Sequence, residues 1–334
     1  MDETQIKFDS NVYIRKLKSQ ELGYRAGKPR GAGRYFFVSK SAISYFPPLS
    51  EVAKNDHVLL DVIPDNSDEV VLTNYVYHND SLSTEDGTRD EYRLYLNINI
   101  DHERNYFNPD DIVLIVKCYD GENLFYKLIR IQPSSHDYVK LNAIVESIDT
   151  AYKSHAMVAL ASLTFVDCLR KIKLGKKIIP EEIIKEALAE PVFHVPVAED
   201  DTTRVIRSKS FRDLVLYFYD YRCAITGKEL FIDHKDFNNL EAAHLLARAS
   251  GGGGNPANGM ALERNLHWAF DKGFFTVNFD GSDYIVEVHK EAMRIPYLAS
   301  KHRKKMIVPE DSRSRPNIES LKWHRENVFG MFLK

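Results

Sequence analysis

The stretch that decides the reading runs from Tyr221 to Asp271. It contains Tyr221-Arg-Cys-Ala-Ile-Thr-Gly227, then Leu240-Glu-Ala-Ala-His-Leu245, Asn258-Gly-Met-Ala-Leu262 and Leu266-His-Trp-Ala-Phe-Asp271. The first His-containing phrase predicts a strand ending near His244. A long loop follows (residues 250–258), with four consecutive glycines. These follow no strand–Gly–helix pattern and lack a Gly-Lys-Ser/Thr ending, so a nucleotide loop is not expected. They predict a flexible excursion between two functional residues. A helix is predicted from about Gly259 to Asp271. On it, His267 and Asp271 are four apart, on one face and one turn from each other. A His/carboxylate pair at that spacing can clamp a divalent metal. His244, on the preceding strand, is expected to face the same point. One metal, one imidazole and one Asn make a compact phosphodiester-cleaving site. The imidazole takes a proton from water near neutral pH. The metal neutralises charge on the phosphate and the leaving oxygen. The amide of Asn258 pins the loop so that His244 is aimed.

This segment resembles the HNH (ββα-metal) endonucleases. The order His244, Asn258, His267 supplies the three letters, and Asp271 stands where many members have a second helix histidine. The opening Cys-Ala-Ile-Thr-Gly and the phrase Leu-Glu-Ala-Ala-His are typical of a restriction-type branch. The resemblance covers roughly residues 208–290. It implies His244 as general base, Asn258 as loop-orienting residue, and His267 and Asp271 as metal ligands. It implies Mg²⁺ as the metal, with Mn²⁺ or Ni²⁺ also suited to a His-containing site. There are two departures. Many members place a ligand just before the base, where this chain has Ala243. Glu241, on the same strand face as Ala243, is the candidate third ligand. Many relatives also carry two Cys pairs, whereas only Cys223 occurs here, so no structural zinc is expected.

The chain has 334 residues, which predicts two domains. Its composition, 44% hydrophobic and 28% charged, is that of a globular protein. No apolar run is long enough for a membrane span, and the polar, acidic N-terminus is not a signal peptide. Three scattered cysteines, Cys118, Cys168 and Cys223, argue against a disulfide scaffold. A cytoplasmic protein with no membrane partner is expected.

The net charge of −3 first speaks against nucleic acid, but the average hides a segregation. Residues 7–40 carry nine basic and two acidic side chains, and residues 41–110 carry four basic and fourteen acidic. Residues 206–290 are near neutral, and residues 291–334 carry ten basic and five acidic. Confined positive charge of this kind suits a docking face for an anionic polymer.

Residues 10–150 read as mostly strand: short β-branched or aromatic runs separated by turn residues. Ser41–Phe46 reads as a short helix ended by Pro47-Pro48. Ser147 to Arg170 reads as a helix and a candidate dimer surface, and Pro180 opens a second helix. Glu190–Thr203 reads as a linker.

The basic stretch interleaves aromatics and glycines, from Val12-Tyr-Ile-Arg-Lys-Leu-Lys18 through the Gly-rich turn to Tyr35. With Thr88-Arg-Asp-Glu-Tyr-Arg93 it resembles the effector domain of EcoRII-type restriction enzymes, a DNA-binding pseudobarrel. The resemblance covers roughly residues 10–140 and implies two arms that grip the major groove, here Arg15–Arg34 and Thr88–Arg93. Candidate DNA contacts are Arg15, Lys18, Arg25, Lys28, Arg30, Arg34, Arg89 and Arg93.

The expected fold class is α+β multidomain. It comprises a mostly-β DNA-recognition pseudobarrel (1–146), a helical connector and linker (147–205), and an HNH ββα-metal nuclease domain with a basic tail (206–334). The expected function is a restriction endonuclease that recognises a specific double-stranded DNA sequence and acts in defence. One such site cuts one strand, so a homodimer or two binding events are expected, with a cognate methyltransferase as partner. A modification-dependent nuclease that reads methylated DNA, or a DNA-binding regulator with a degenerate site, has the same architecture.

Overall fold

Alternating apolar residues build the N-terminal half. The computed structural model describes residues 6–25, 28–29, 33–82, 87–163, 172, 174–193, 199–228, 231–232 and 237–332. The chain divides into two compact units, Met1–Ile183 with Glu199–Ile206, and Ile184–Ala198 with Arg207–Lys334.

The strands of the first unit are β1 (Lys7–Lys16), β2 (Tyr24–Arg25), β3 (Lys28–Pro29), β4 (Tyr35–Val38), β5 (His57–Ile63) and β6 (Val70–His78). They continue with β7 (Glu91–Tyr95), β8 (Ile112–Asp120), β9 (Asn123–Ile131), β10 (His155–Ala159) and β11 (Lys177–Ile178). Nine of them form one sheet in the order β10-β1-β8-β9-β5-β6-β7-β4, with β11 on β6. The β5–β9 and β6–β11 pairs are parallel and the others antiparallel. The result is a curled, mixed half-barrel.

Because side chains alternate across a strand, β1, β8 and β9 feed two cores. Val12, Ile14, Leu114, Val116 and Ile129 pack on one face, where Leu141 and Val145 of helix α1 (Tyr138–Ile148) cover them. Tyr13, Val113, Ile115, Tyr126 and Leu128 pack on the other. There the 3₁₀ turn Lys40–Tyr45 delivers Phe46, whose ring stacks on Tyr75 and Tyr126 at 5.0 and 5.1 Å.

The predicted helix over Ser147–Arg170 is corrected. Helix α1 ends at Ile148, and His155–Ala159 is the strand β10, paired with β1. Asp149 is the reason. Its carboxylate accepts from Tyr152 N, Ser154 N and Ser154 Oγ, each at 3.0 Å, and meets His155 Nδ1 at 2.9 Å. That turns the chain back to the sheet edge. The surface proposed for a dimer is therefore partly an edge strand, and residues 164–171 lie outside the described residues. The helical region comes later, in α2 (Glu181–Ala189) and α3 (Asp201–Phe218).

Burial alone would raise the pKa of Asp149, but the hydrogen bonds from Tyr152 and Ser154 and the charge of His155 hold it at about 2. A carboxylate lowered on folding stabilises the fold above its unfolded pKa of ~3.9, and that contribution is lost as pH falls through the folded value. Asp149→Asn is expected to cost about 1.5–3 kcal/mol at pH 7. The gap between the variant and the parent should close as pH falls from about 5 towards 2, as urea unfolding at a series of pH values would show.

The second unit contains the hairpin β12 (Phe231–Ile232)–β13 (Phe237–Asn238), then β14 (Leu240–His244) and β15 (Gly259–Glu263). Helix α4 (Arg264–Asp271) follows directly, then the hairpin β16 (Phe275–Phe279)–β17 (Tyr284–Val288), α5 (Pro296–Ala299) and α6 (Ile318–Asn327). The predicted helix from Gly259 is also corrected: residues 259–263 pair with β14, and only Arg264–Asp271 is helical. One core joins α3, β14, β15, α4 and the last hairpin through Val215, Leu240, Met260, Leu266, Phe270 and Val277. Cys223 is buried in it.

Candidate active site

Strand β14 and β15 are in antiparallel register, with His244 opposite Gly259 and Glu241 opposite Leu262. Since α4 starts one residue after β15, the helix folds back beside β14. The sequence thus brings a strand end, a loop and a helix face to one place.

The loop is tied down rather than flexible. The Asn258 side chain is fully buried. Its Oδ1 accepts from Leu246 N at 3.0 Å, and its Nδ2 donates to Leu246 O at 3.0 Å and Gly253 O at 3.2 Å. Leu245 N donates to Asn258 O at 2.9 Å. Both ends of the loop are therefore clamped next to His244. The glycines serve this closure. A Cβ on Gly252 would lie 1.9 Å from Leu246 O and 2.6 Å from Asn258 Nδ2, so no side chain fits there.

His244 is half-buried, and its ring nitrogens meet no hydrogen-bond partner among the described residues. Burial, then the positive charges of Arg248 and His267, push its pKa down to about 4. The imidazole is neutral at pH 7 and can accept a proton.

On α4, His267 and Asp271 face one way, with His267 Nε2 at 3.3 Å from Asp271 Oδ2. The other ring nitrogen, Nδ1, lies 2.8 Å from Glu241 Oε2, while Glu241 Oε1 accepts from Arg264 Nε at 2.8 Å. Burial disfavours the His267 cation, but Asp271 and then Glu241 outweigh it and raise the pKa. For Glu241, burial raises the pKa, and His267 and Arg264 bring it below the ordinary value. Arg264 is a participant that the sequence reading missed; its signal is its place at the first turn of the helix that carries His267.

The metal can be tested against these donors. Among the described residues, no three His, Cys, Asp or Glu side chains form a cluster that could hold an ion. Ala243, where a third ligand would stand, is fully buried in the core. Glu241 sits on His267 rather than beside an open position. What remains is a nitrogen–oxygen pair, His267 Nε2 and Asp271. That pair would suit a hard or borderline cation.

Of the eight candidate DNA contacts, two lie where a DNA contact cannot. Arg15 and Arg34 are corrected: both are buried, at 5% and 7% exposure, and neither presents its charge to DNA. Arg15 forks onto Glu21 with Nε and Nη2 each at 2.8 Å. Arg34 pairs with Asp101 and donates to Leu22 O at 2.8 Å and Phe107 O at 2.6 Å. Arg93 is half-buried over the Tyr35 ring at 4.0 Å and pairs with Glu91. Arg89 is exposed, paired with Asp80 at 2.7 Å. Lys18 is half-buried and Lys28 exposed. Arg30 and the Arg25 side chain lie outside the described residues.

Among the remaining histidines, His324 is buried against Phe270 at 3.6 Å and hydrogen-bonded to Thr276 Oγ1 and Phe270 O. It belongs to the core. No helix of the described residues is long and apolar enough to cross a membrane.

Residues 223–278 match the HNH_2 family, described as HNH endonuclease. The C-terminal unit therefore contains an HNH-type nuclease domain. Among solved structures, a modification-dependent TagI restriction endonuclease is similar at 21% identity, over 39% of this chain and 41% of that one, with a TM-score of 0.29. The chain thus spans less than half of that protein in the match. No curated protein matches it.

Proposed function

We propose that the chain is a metal-dependent DNA endonuclease in which the half-barrel binds double-stranded DNA and His244 is the general base. The observation that carries this reading is the placement of a neutral, half-buried imidazole at the end of β14. Its loop is clamped by Asn258, and it lies within electrostatic reach of the His267–Asp271 pair.

In this reading His244 takes the proton of the attacking water. Asn258 fixes the loop from both ends and so aims the strand that carries His244. His267 Nε2 and Asp271 would hold the metal. Glu241, on the other ring nitrogen, would orient His267, the common arrangement of a carboxylate behind a ligating histidine. This replaces the expectation that Glu241 is itself a ligand. A bound Mg²⁺ or Mn²⁺ supplies charge neutralisation at the phosphate and the leaving oxygen.

For DNA, Lys18, Lys28 and Arg89 are the candidates that reach the surface among the described residues, on the unit that resembles the EcoRII-type effector domain. Arg89→Ala is expected to weaken binding across sequences and to lower the slope of log K against log salt by about 0.9. A salt series of fluorescence-anisotropy titrations measures both, and an unchanged slope removes Arg89 from the interface.

Two substrate classes fit: a specific unmodified sequence, with a methyltransferase protecting the host, or methylated DNA. Cleavage of methylated and unmethylated plasmids, with mapping of the ends, separates them. Binding with no cleavage of either would mark a regulator with a degenerate site. A homodimer, or two binding events, would allow both strands to be cut.

A further inference from the structure

A base in a nuclease has to be aimed, and the usual device is a hydrogen bond from its second ring nitrogen to a carboxylate or carbonyl. His244 has no such bond among the described residues. It has a ring instead. The Phe211 side chain on α3 lies parallel to the imidazole, with centroids 4.0 Å apart and 14° between planes. Phe211 is itself buried in the core of the second unit.

The opposite strand is shaped around this contact. Gly259 faces His244 in the β14–β15 register. A Cβ there would lie 2.5 Å from Val215 Cγ2 and 2.8 Å from Phe211 Cζ. Only glycine lets α3 come close enough to lay Phe211 on the imidazole. The glycine that follows Asn258 therefore has a physical reason, one that depends on a helix lying before residues 223–278.

We infer that Phe211 is a positioning residue for the general base: its ring face, seated by Gly259, sets the orientation of the His244 imidazole in place of a hydrogen-bonded carboxylate. The inference rests on the reading of His244 as base. The stack is on the imidazole, so Phe211 is expected to act on the proton transfer and not on metal or DNA binding. A misplacement of the base by about 1 Å is enough to cost about 10²-fold in rate.

The test uses the full chain with Phe211→Leu and Phe211→Met, which keep the apolar volume and lose the flat face. Tyr is unsuitable, because Cζ abuts Gly259. The readouts are kcat, the dissociation constant for DNA, Mn²⁺ affinity by calorimetry, and the His244 ring-proton shifts by NMR. Expected are kcat lowered by about 10–100-fold, DNA and Mn²⁺ affinities within about 3-fold of the parent, and loss of the upfield ring-current shift on the imidazole protons. A folded variant with the parent kcat overturns the inference. So does a rate loss that only follows lost DNA or Mn²⁺ affinity. If His244→Ala still cleaves, the base assignment itself fails. If His244→Ala is inactive while both Phe211 variants are fully active, only the positioning role fails.

Discussion

His244→Ala is expected to lower the rate of DNA cleavage by about 10²–10⁴-fold, the usual range for loss of a general base. Binding of DNA should be unchanged, because the imidazole contributes no cation at neutral pH: burial holds its pKa at about 4. The fold should also survive. The side chain sits at the end of β14 and makes no hydrogen bond among the described residues. The clamp on the loop is made by Asn258 and the backbone of Leu245 and Leu246. A rate loss at constant affinity is the signature of a group that acts only in the transition state. Single-turnover cleavage with excess enzyme reads it without interference from product release.

The second large effect is on stability. Arg34→Ala is expected to destabilise the N-terminal unit by about 3–5 kcal/mol, the cost of breaking a buried ion pair from one side. The substitution strands the Asp101 carboxylate, which is 1% exposed, and removes the donor to the carbonyls of Leu22 and Phe107. One planar guanidinium joins three separate stretches of chain, which an ammonium cannot do, so Arg34→Lys should not rescue it. Urea unfolding followed by tyrosine fluorescence or circular dichroism measures the loss. Were Arg34 a DNA contact, the variant would keep its stability and lose affinity with a smaller salt slope.

That contrast shows where the sequence was legible. Strands β1, β8 and β9 could be read from β-branched or aromatic runs such as Val12-Tyr-Ile and Ile112–Val116, because strand propensity is a local property. Their partners could not: β4 pairs with β7, and β11 with β6, through contacts that only the sheet defines. Charge was misread for a related reason. A run of Lys and Arg states the number of cations but not which are buried. Arg15 is matched by Glu21 within the same basic stretch, and Arg34 by Asp101 from the acidic block. Part of the segregation between those two segments is therefore cancelled inside the fold.

At the candidate site, the order and spacing of His244, Asn258, His267 and Asp271 were enough to propose them. The glycine loop was misread as loose, since burial of Gly252 against Leu246 O leaves no compositional trace. The link from Glu241 to His267 needed the β14–β15 register, which folds α4 back onto the strand. Phe211 was missed because an apolar helix residue looks the same in sequence whether it packs on leucine or on an imidazole.

The most direct test of the central claim is a parallel incubation of the parent chain and His244→Ala with supercoiled plasmid, methylated and unmethylated, in Mg²⁺ or Mn²⁺. The account predicts nicked or linear product from the parent chain on at least one of the two DNAs. It also predicts loss of that product when EDTA removes the metal, and none above background from His244→Ala. Intact plasmid from the parent chain under every condition, or equal cleavage by parent and variant, would contradict it.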